Sequence, residues 1–282
     1  MHWVLFCLAS AVGLGQSFRV EPPVVKQGRV LKVHGDKQAQ SARLNGFTIP
    51  LFAQEGGDQM GLMPVGVLTK PGPYVLEWLD AKGAPVHIAR IEIADAHYRK
   101  QNVVLSKTLS ELKSSPEERE RVAAFLKIVS PARYWREPLD APIPGCITSP
   151  FGVTRLHNGK PTGEYHAGLD QRGPLGSPIH AVAGGTVKIV QPFTLRGGTV
   201  AVDHGQGLES IYLHMSKFAV KEADEVKPGD VIGYVGSTGR STGPHLHWTL
   251  YANGEPINPL QWVDLKNCPS ATAVPHRKLA PR

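Results

Sequence analysis

The stretch 236–251 constrains this 282-residue chain more than any other. Gly236, Gly239, Gly243 and Pro244 make its first half a loop, because such residues supply turn geometries that ordinary side chains resist. Its second half alternates. Read as a strand, 245–251 places His245, His247, Thr249 and Tyr251 on one face and Leu246, Trp248 and Leu250 on the other. A rise of about 3.3 Å per residue sets the two imidazole Cβ atoms about 6–7 Å apart, near enough to serve one small site. Imidazole is the commonest metal ligand and also exchanges protons near neutral pH, so the pair suits one ligand and one proton handler. In a chain with twelve histidines a lone His-x-His also fits a plain surface pair, and the rest of the sequence has to decide.

Length allows two domains and a sizeable core, and 20% charged with 41% hydrophobic residues is ordinary for a soluble globular chain. The net charge of +7 points to an acidic partner: nucleic acid, anionic lipid or an acidic cell-wall polymer. No dense Lys/Arg block interleaved with aromatics occurs, which argues against nucleic acid. Residues 1–16 form an apolar run too short to span a bilayer comfortably and ending in small residues, the pattern of a signal peptide. Only His2 and the amino terminus charge its start, and Cys7 lacks the small residues of a lipid-attachment site. The expectation is an exported chain, periplasmic or extracellular, without stable membrane insertion after cleavage. Cys146 and Cys268 then remain, an even count that permits a disulfide in an exported chain; two buried thiols are the alternative.

Between about 17 and 99 the stretches 29–34, 42–47, 74–78 and 87–93 alternate apolar with polar, separated by turn signals at Gly56-Gly57, Pro71-Gly72-Pro73 and Lys82-Gly83. Several short strands in so few residues predict a small β-sandwich with no catalytic grouping. Ser115, Pro116 and Glu118 then predict a helix start with a capping box. Val122, Phe125, Leu126 and Val129 share one face, Ser130-Pro131 ends the run, and the apolar stripe is expected to pack at the junction of two domains. After 142–145 glycine-punctuated strands predict an antiparallel β domain with long loops. The end, 266–282, is proline-rich, basic and poor in apolar residues, and reads as mostly disordered.

A second polar cluster, His166 and Asp170, would lie about 13 Å apart on an extended chain, too far for two bonds of about 2 Å to one ion. A bend is required, and Gly168 is placed to allow one. With His245 and His247 these residues make a set suited to catalytic zinc, which takes three protein ligands and leaves a position open. Tyr212 and His214 end a strand whose alternation puts both on one face and adds another proton handler. His157 and His180 read as surface residues and His204 as a turn residue.

The motifs His166-x-x-x-Asp170, Tyr212-x-His214 and Gly236-x-Thr238-Gly239-x-Ser241-x-Gly243-x-His245-Leu246-His247 resemble, in order and spacing, those of lysostaphin-type zinc metallopeptidases, which hydrolyse peptide bonds in peptidoglycan. Ser149-Pro-Phe-Gly152, Arg155 and Asp203-His204-Gly205 are similar too, and the resemblance covers roughly 143–262. It implies one Zn2+ per chain held by His166, Asp170 and His247, with His214 and His245 flanking the water that zinc activates. His245 is the expected base and His214 the expected stabiliser of the tetrahedral stage. Arg155, Asn158 and Tyr212 are expected to contact substrate. Ala223 departs from the glycine common in the family at that turn.

The expected architecture is therefore mainly β. It comprises a signal peptide at 1–16, an accessory β-sandwich at 17–99, a helical linker at 100–140, an antiparallel β catalytic domain of the lysostaphin-type fold at 141–264, and a disordered basic tail at 265–282. The resemblance implies a monomeric peptidoglycan endopeptidase. The alternative is a non-catalytic, peptidoglycan-binding activator of a cell-wall amidase, which would not need the intact set of ligands and proton-handling histidines.

Overall fold

A computed structural model describes residues 18–269, so the expectations for 1–16 and for 270–282 lie outside the described residues. The chain is mostly β. Two sheets form the N-terminal sandwich. One has the strand order Arg19–Glu21, Val30–Gly35, Gln59–Pro64, Phe52–Ala53; the other runs Val24–Lys26, Pro85–Ala94, Gly72–Leu79, Ser41–Leu44, Phe47–Pro50. Val25, Leu31, Val33, Ile49, Leu76, Trp78, Ile91 and Ile93 close the core between them, each large apolar side chain contributing about 1.5–3 kcal/mol by burial.

Two details differ from the pattern reading. The stretch 42–47 is a hairpin and not one strand: Asn45 and Gly46 at its tip take φ 49° and 80°, the left-handed pair that a two-residue turn requires. Gln59–Pro64 carried no alternation because five of its six residues are buried.

The linker does more than connect. Lys100–Val103 forms a strand that pairs in parallel with Thr154–His157, which in turn pairs with Lys160–Tyr165. The helix Pro116–Phe125 begins as expected, Ser115 Oγ accepting from Glu118 N at 3.0 Å. Its docking differs. Val122 and Phe125 pack on Ile189, Phe193, Ala201 and Ile211, so the helix covers part of the C-terminal sheet and does not sit at a domain junction. The Glu118 carboxylate is fully buried; it accepts from Leu195 N, Arg196 N and Arg196 Nη1 at 3.0, 3.2 and 2.7 Å. Those three donors outweigh the single backbone group a capping box would offer.

The C-terminal sheet has the antiparallel order Ile147–Ser149, Leu169–Arg172, His245–Ala252, Leu208–Met215, Gly197–Gly205, Gly185–Phe193, Glu225–Val226. Its inner face packs Leu169, Val200, Val202, Leu208, Tyr212, Leu246, Trp248 and Leu250 into a core that also takes Trp135 and Leu139 from the linker and Val30, Met60, Leu62 and Val67 from the sandwich. Apolar packing thus runs through all three expected regions without a break. Residues 267 and 268 belong to the fold and not to a disordered tail, because Asn267 bridges to Ile147 and Cys268 is disulfide-bonded to Cys146, with Cα atoms 4.9 Å apart. Closing a loop of 122 residues contributes about 4–5 kcal/mol in the chain-entropy account. Among the described residues no helix is long and apolar enough to cross a membrane.

Candidate metal centre and groove

The outer face of the sheet, where the docked helix leaves it bare, carries the polar cluster. Strand register builds it: Asp170 lies directly opposite His247, and His247 opposite Leu213. The alternation expected for 245–251 is the one observed, with Leu246, Trp248 and Leu250 fully buried and His245, His247, Thr249 and Tyr251 lining a groove of about 360 Å³. Beneath, Trp248 Nε1 donates to Gln171 Oε1 at 2.7 Å, tying the two strands together from the core side.

The chain bends at Gly168 to bring His166 onto Asp170. Space decides that residue, since a Cβ there would overlap the Trp248 carbonyl oxygen and the His247 ring. His166 Nε2, Asp170 Oδ1 and His247 Nδ1 converge, with separations of 3.0 Å (His166–Asp170), 3.0 Å (His166–His247) and 2.9 Å (His247–Asp170). A tetrahedral zinc with bonds of about 2.0–2.1 Å needs its ligands about 3.3 Å apart, so the donor type and spacing both fit.

Hydrogen bonds behind the rings set the tautomers. A carbonyl oxygen can only accept, so His166 donates Nδ1–H to Pro150 O at 2.9 Å, His214 donates to Thr238 O at 2.7 Å, and His245 donates to Gly243 O at 2.8 Å. In the neutral ring each then keeps a lone pair on Nε2. His247 is ordered from the other side, its Nε2 lying 3.2 Å from Thr249 Oγ1 and leaving Nδ1 for the cluster.

Burial, reinforced by the like charges of His247 and His245, pushes the His214 pKa down to about 3. Burial also takes His247 down to about 4, against the pull of Asp170. Both rings are therefore neutral at physiological pH, the form a metal requires. Burial alone would raise the Asp170 carboxyl; His166 and then His247 hold it well below the usual carboxylate range.

His214 and His245 face each other across the groove with ring centres 5.0 Å apart, and His245 Nε2 stands 3.8 Å from Asp170 Oδ1. Arg155 also lines the groove, but its guanidinium is engaged with Asp170 Oδ2 at 3.4 Å and Gln101 Oε1 at 2.7 Å.

Two expected substrate contacts are corrected. Tyr212 is fully buried on the inner face, where its hydroxyl accepts from Val182 N at 3.1 Å. The alternation that placed it beside His214 fails because His214 takes φ 61°, a left-handed step that turns its ring back to the groove. Asn158 sits at a turn with φ 50° and clasps the linker instead, its Oδ1 accepting from Leu105 N at 2.8 Å and its Nδ2 donating to Leu105 O at 3.0 Å.

Among the other histidines, His157 lines the groove where a plain surface position was expected. His204 is a fully buried strand residue and no turn residue. It donates Nδ1–H to Gly184 O at 2.6 Å, lies 2.8 Å from Ser210 Oγ, and is pushed by burial down to about 4. Val103 and Leu105 of the linker also line the groove and Gln101 stands behind it, though nothing local in 100–105 marks them. Thr249 was legible, since the strand period places it on the His245/His247 face.

Residues 164–259 match peptidase family M23. A crystal structure of a putative peptidase M23 from Pseudomonas aeruginosa superposes with a TM-score of 0.64 at 32% identity, covering 86% of this chain and 95% of that one. The DD-carboxypeptidase/endopeptidase Mpg of Neisseria meningitidis serogroup B is 44% identical over 114 residues, 40% of this chain and 26% of that protein. The peptidoglycan DD-endopeptidase ShyA of Vibrio cholerae is 37% identical over 134 residues, 48% of this chain and 30% of that protein. The aligned part is thus between a quarter and a third of these curated relatives.

Proposed function

The chain belongs to peptidase family M23, and from that premise we propose that it is an exported zinc endopeptidase cutting peptide bonds in the cross-links or stem peptides of bacterial peptidoglycan. The observation that carries the reading is the convergence of His166 Nε2, Asp170 Oδ1 and His247 Nδ1 within about 3 Å of one another on the floor of a groove. These three would hold one zinc ion per chain. When bound, zinc supplies positive charge that polarises the scissile carbonyl and lowers the pKa of water at the site towards about 7.

The residues around that position have separable tasks. His245 donates Nδ1–H to the Gly243 carbonyl, which turns Nε2 to the groove, and is the base that takes the proton of the attacking water. His214, neutral by burial, faces it. Its Nδ1–H is given to Thr238 O, so Nε2 faces the groove; a proton drawn from solvent onto that nitrogen as negative charge develops on the carbonyl oxygen lets the ring donate to and steady the tetrahedral stage. Val103, Leu105, Leu195 and Leu213 give the groove apolar wall, and Arg240 gives it positive charge suited to a carboxylate-bearing peptide.

Peptidoglycan lies outside the cytoplasmic membrane, which is why export, with residues 1–16 as signal peptide, belongs to the proposal. The net charge of +7 favours the anionic wall. A monomer suffices, because all five residues come from one chain. The test is release of new amino groups from purified peptidoglycan, with and without a chelator and with zinc restored. Chelator-sensitive release supports the peptidase, and the fragments name the bond. Absence of release from a folded, zinc-loaded chain overturns it in favour of a wall-binding activator.

A further inference from the structure

We infer that Gln101, on the linker strand Lys100–Val103 and outside the matched residues 164–259, is a positioning residue for the metal-ligand set. Its side-chain Oε1 accepts two hydrogen bonds, from Ser149 Oγ at 2.7 Å and from Arg155 Nη1 at 2.7 Å. A guanidinium only donates, so the atom it meets must be the amide oxygen, and the Ser149 hydroxyl hydrogen is thereby committed to that oxygen as well.

Each arm ends on a ligand. Ser149, 4% exposed, turns its lone pairs to His166 Nδ1 at 3.2 Å, so His166 donates there and to Pro150 O and keeps Nε2 free for the metal position. Arg155 donates to Asp170 Oδ2 at 3.4 Å, leaving Oδ1 as the oxygen that faces His166 and His247. One amide oxygen thus orders two of the three donors through Ser149 and Arg155, from a linker residue that lies outside the resemblance over 143–262.

The backbone holds the linker strand independently of this side chain. Gln101 pairs in register with Arg155, Asn158 clasps Leu105, and Asn102 Oδ1 accepts from Gly159 N at 2.7 Å. Substituting Gln101 therefore removes the polar link without undocking the strand.

The inference rests on the zinc reading above, and its test separates the two. Zinc affinity of the full chain is measured by competition with a chromophoric chelator for the wild type, Gln101→Leu and Gln101→Glu, alongside thermal unfolding of the zinc-free proteins. Gln101→Leu is expected to bind zinc about 10–100-fold more weakly while its zinc-free form still unfolds in one cooperative transition, lowered by no more than two donors without their acceptor would cost. Gln101→Glu keeps an acceptor for both donors and stays within about threefold of the wild type. Equal affinity in Gln101→Leu, or a loss that Gln101→Glu does not restore, overturns the inference. A lowered zinc-free unfolding temperature with unchanged affinity reduces Gln101 to a structural residue and overturns it as well. A wild-type chain that binds no zinc overturns the functional reading, and this inference with it.

Discussion

His166 Nε2 and His247 Nδ1 stand 3.0 Å apart, and both lie within 3.0 Å of the same Asp170 oxygen. Two ring nitrogens and a carboxylate oxygen directed at one point are stabilised by a cation placed among them. Zinc at 100 times its dissociation constant should therefore stabilise the native chain by about 2.7 kcal/mol, read as a rise in unfolding temperature. His247→Ala should show no rise, and a full rise in that variant would refute the ligand assignment.

His245 is oriented by Gly243 and lies beside the cluster, 3.8 Å from Asp170, without belonging to it. His245→Ala should keep the zinc-dependent rise in unfolding temperature while turnover falls by about 10²–10⁴-fold, the usual worth of a positioned acid-base group. Loss of zinc binding in His245→Ala would move this residue into the ligand set.

Glu209 is fully buried opposite Asp203 on the neighbouring strand; burial first, and then the Asp203 charge, push its pKa up to about 9. The folded state therefore holds a proton that the unfolded chain releases above its ordinary value near 4.5. Stability from this group is complete below that value and is lost as pH rises towards 9. Glu209→Gln, neutral at every pH, should stabilise the chain by about 1–3 kcal/mol at pH 8 and by little at pH 5. A urea midpoint difference that does not grow with pH would contradict this.

Ala223 is exposed and takes φ 70°, a left-handed conformation that its Cβ disfavours. Ala223→Gly should raise stability by about 0.5–1 kcal/mol, measured as a shift in denaturant midpoint without a change in slope. A fall in stability would mean that chain entropy outweighs the strain at this turn.

What was legible in the sequence is what a few neighbouring residues decide among themselves. The period of a strand puts His245 and His247 on one face whatever the rest of the chain does. Ser115 and Pro116 start a helix because they satisfy its first turn locally, and the need for a bend between His166 and Asp170 follows from chain geometry. The spacing of these groups carried the resemblance that named a zinc-binding set. The same reasoning failed where one residue breaks the local rule, as at Asn45-Gly46 and at His214, whose positive φ reverses a face that alternation had assigned.

Tertiary structure alone decided which groups stand behind the candidate ligands. Gln101 meets Arg155 across 54 residues and Glu118 meets Arg196 across 78, and neither pair leaves a mark on its own neighbourhood. The first depends on a parallel strand pairing, which needs a crossover elsewhere in the fold; the second depends on which sheet face the helix covers. A periodic pattern fixes which face of an element is apolar. Its partner is selected by the packing of the whole chain, and that packing turns Tyr212 inward, draws Asn158 to the linker and brings Gln101 behind the His166/Asp170/His247 cluster.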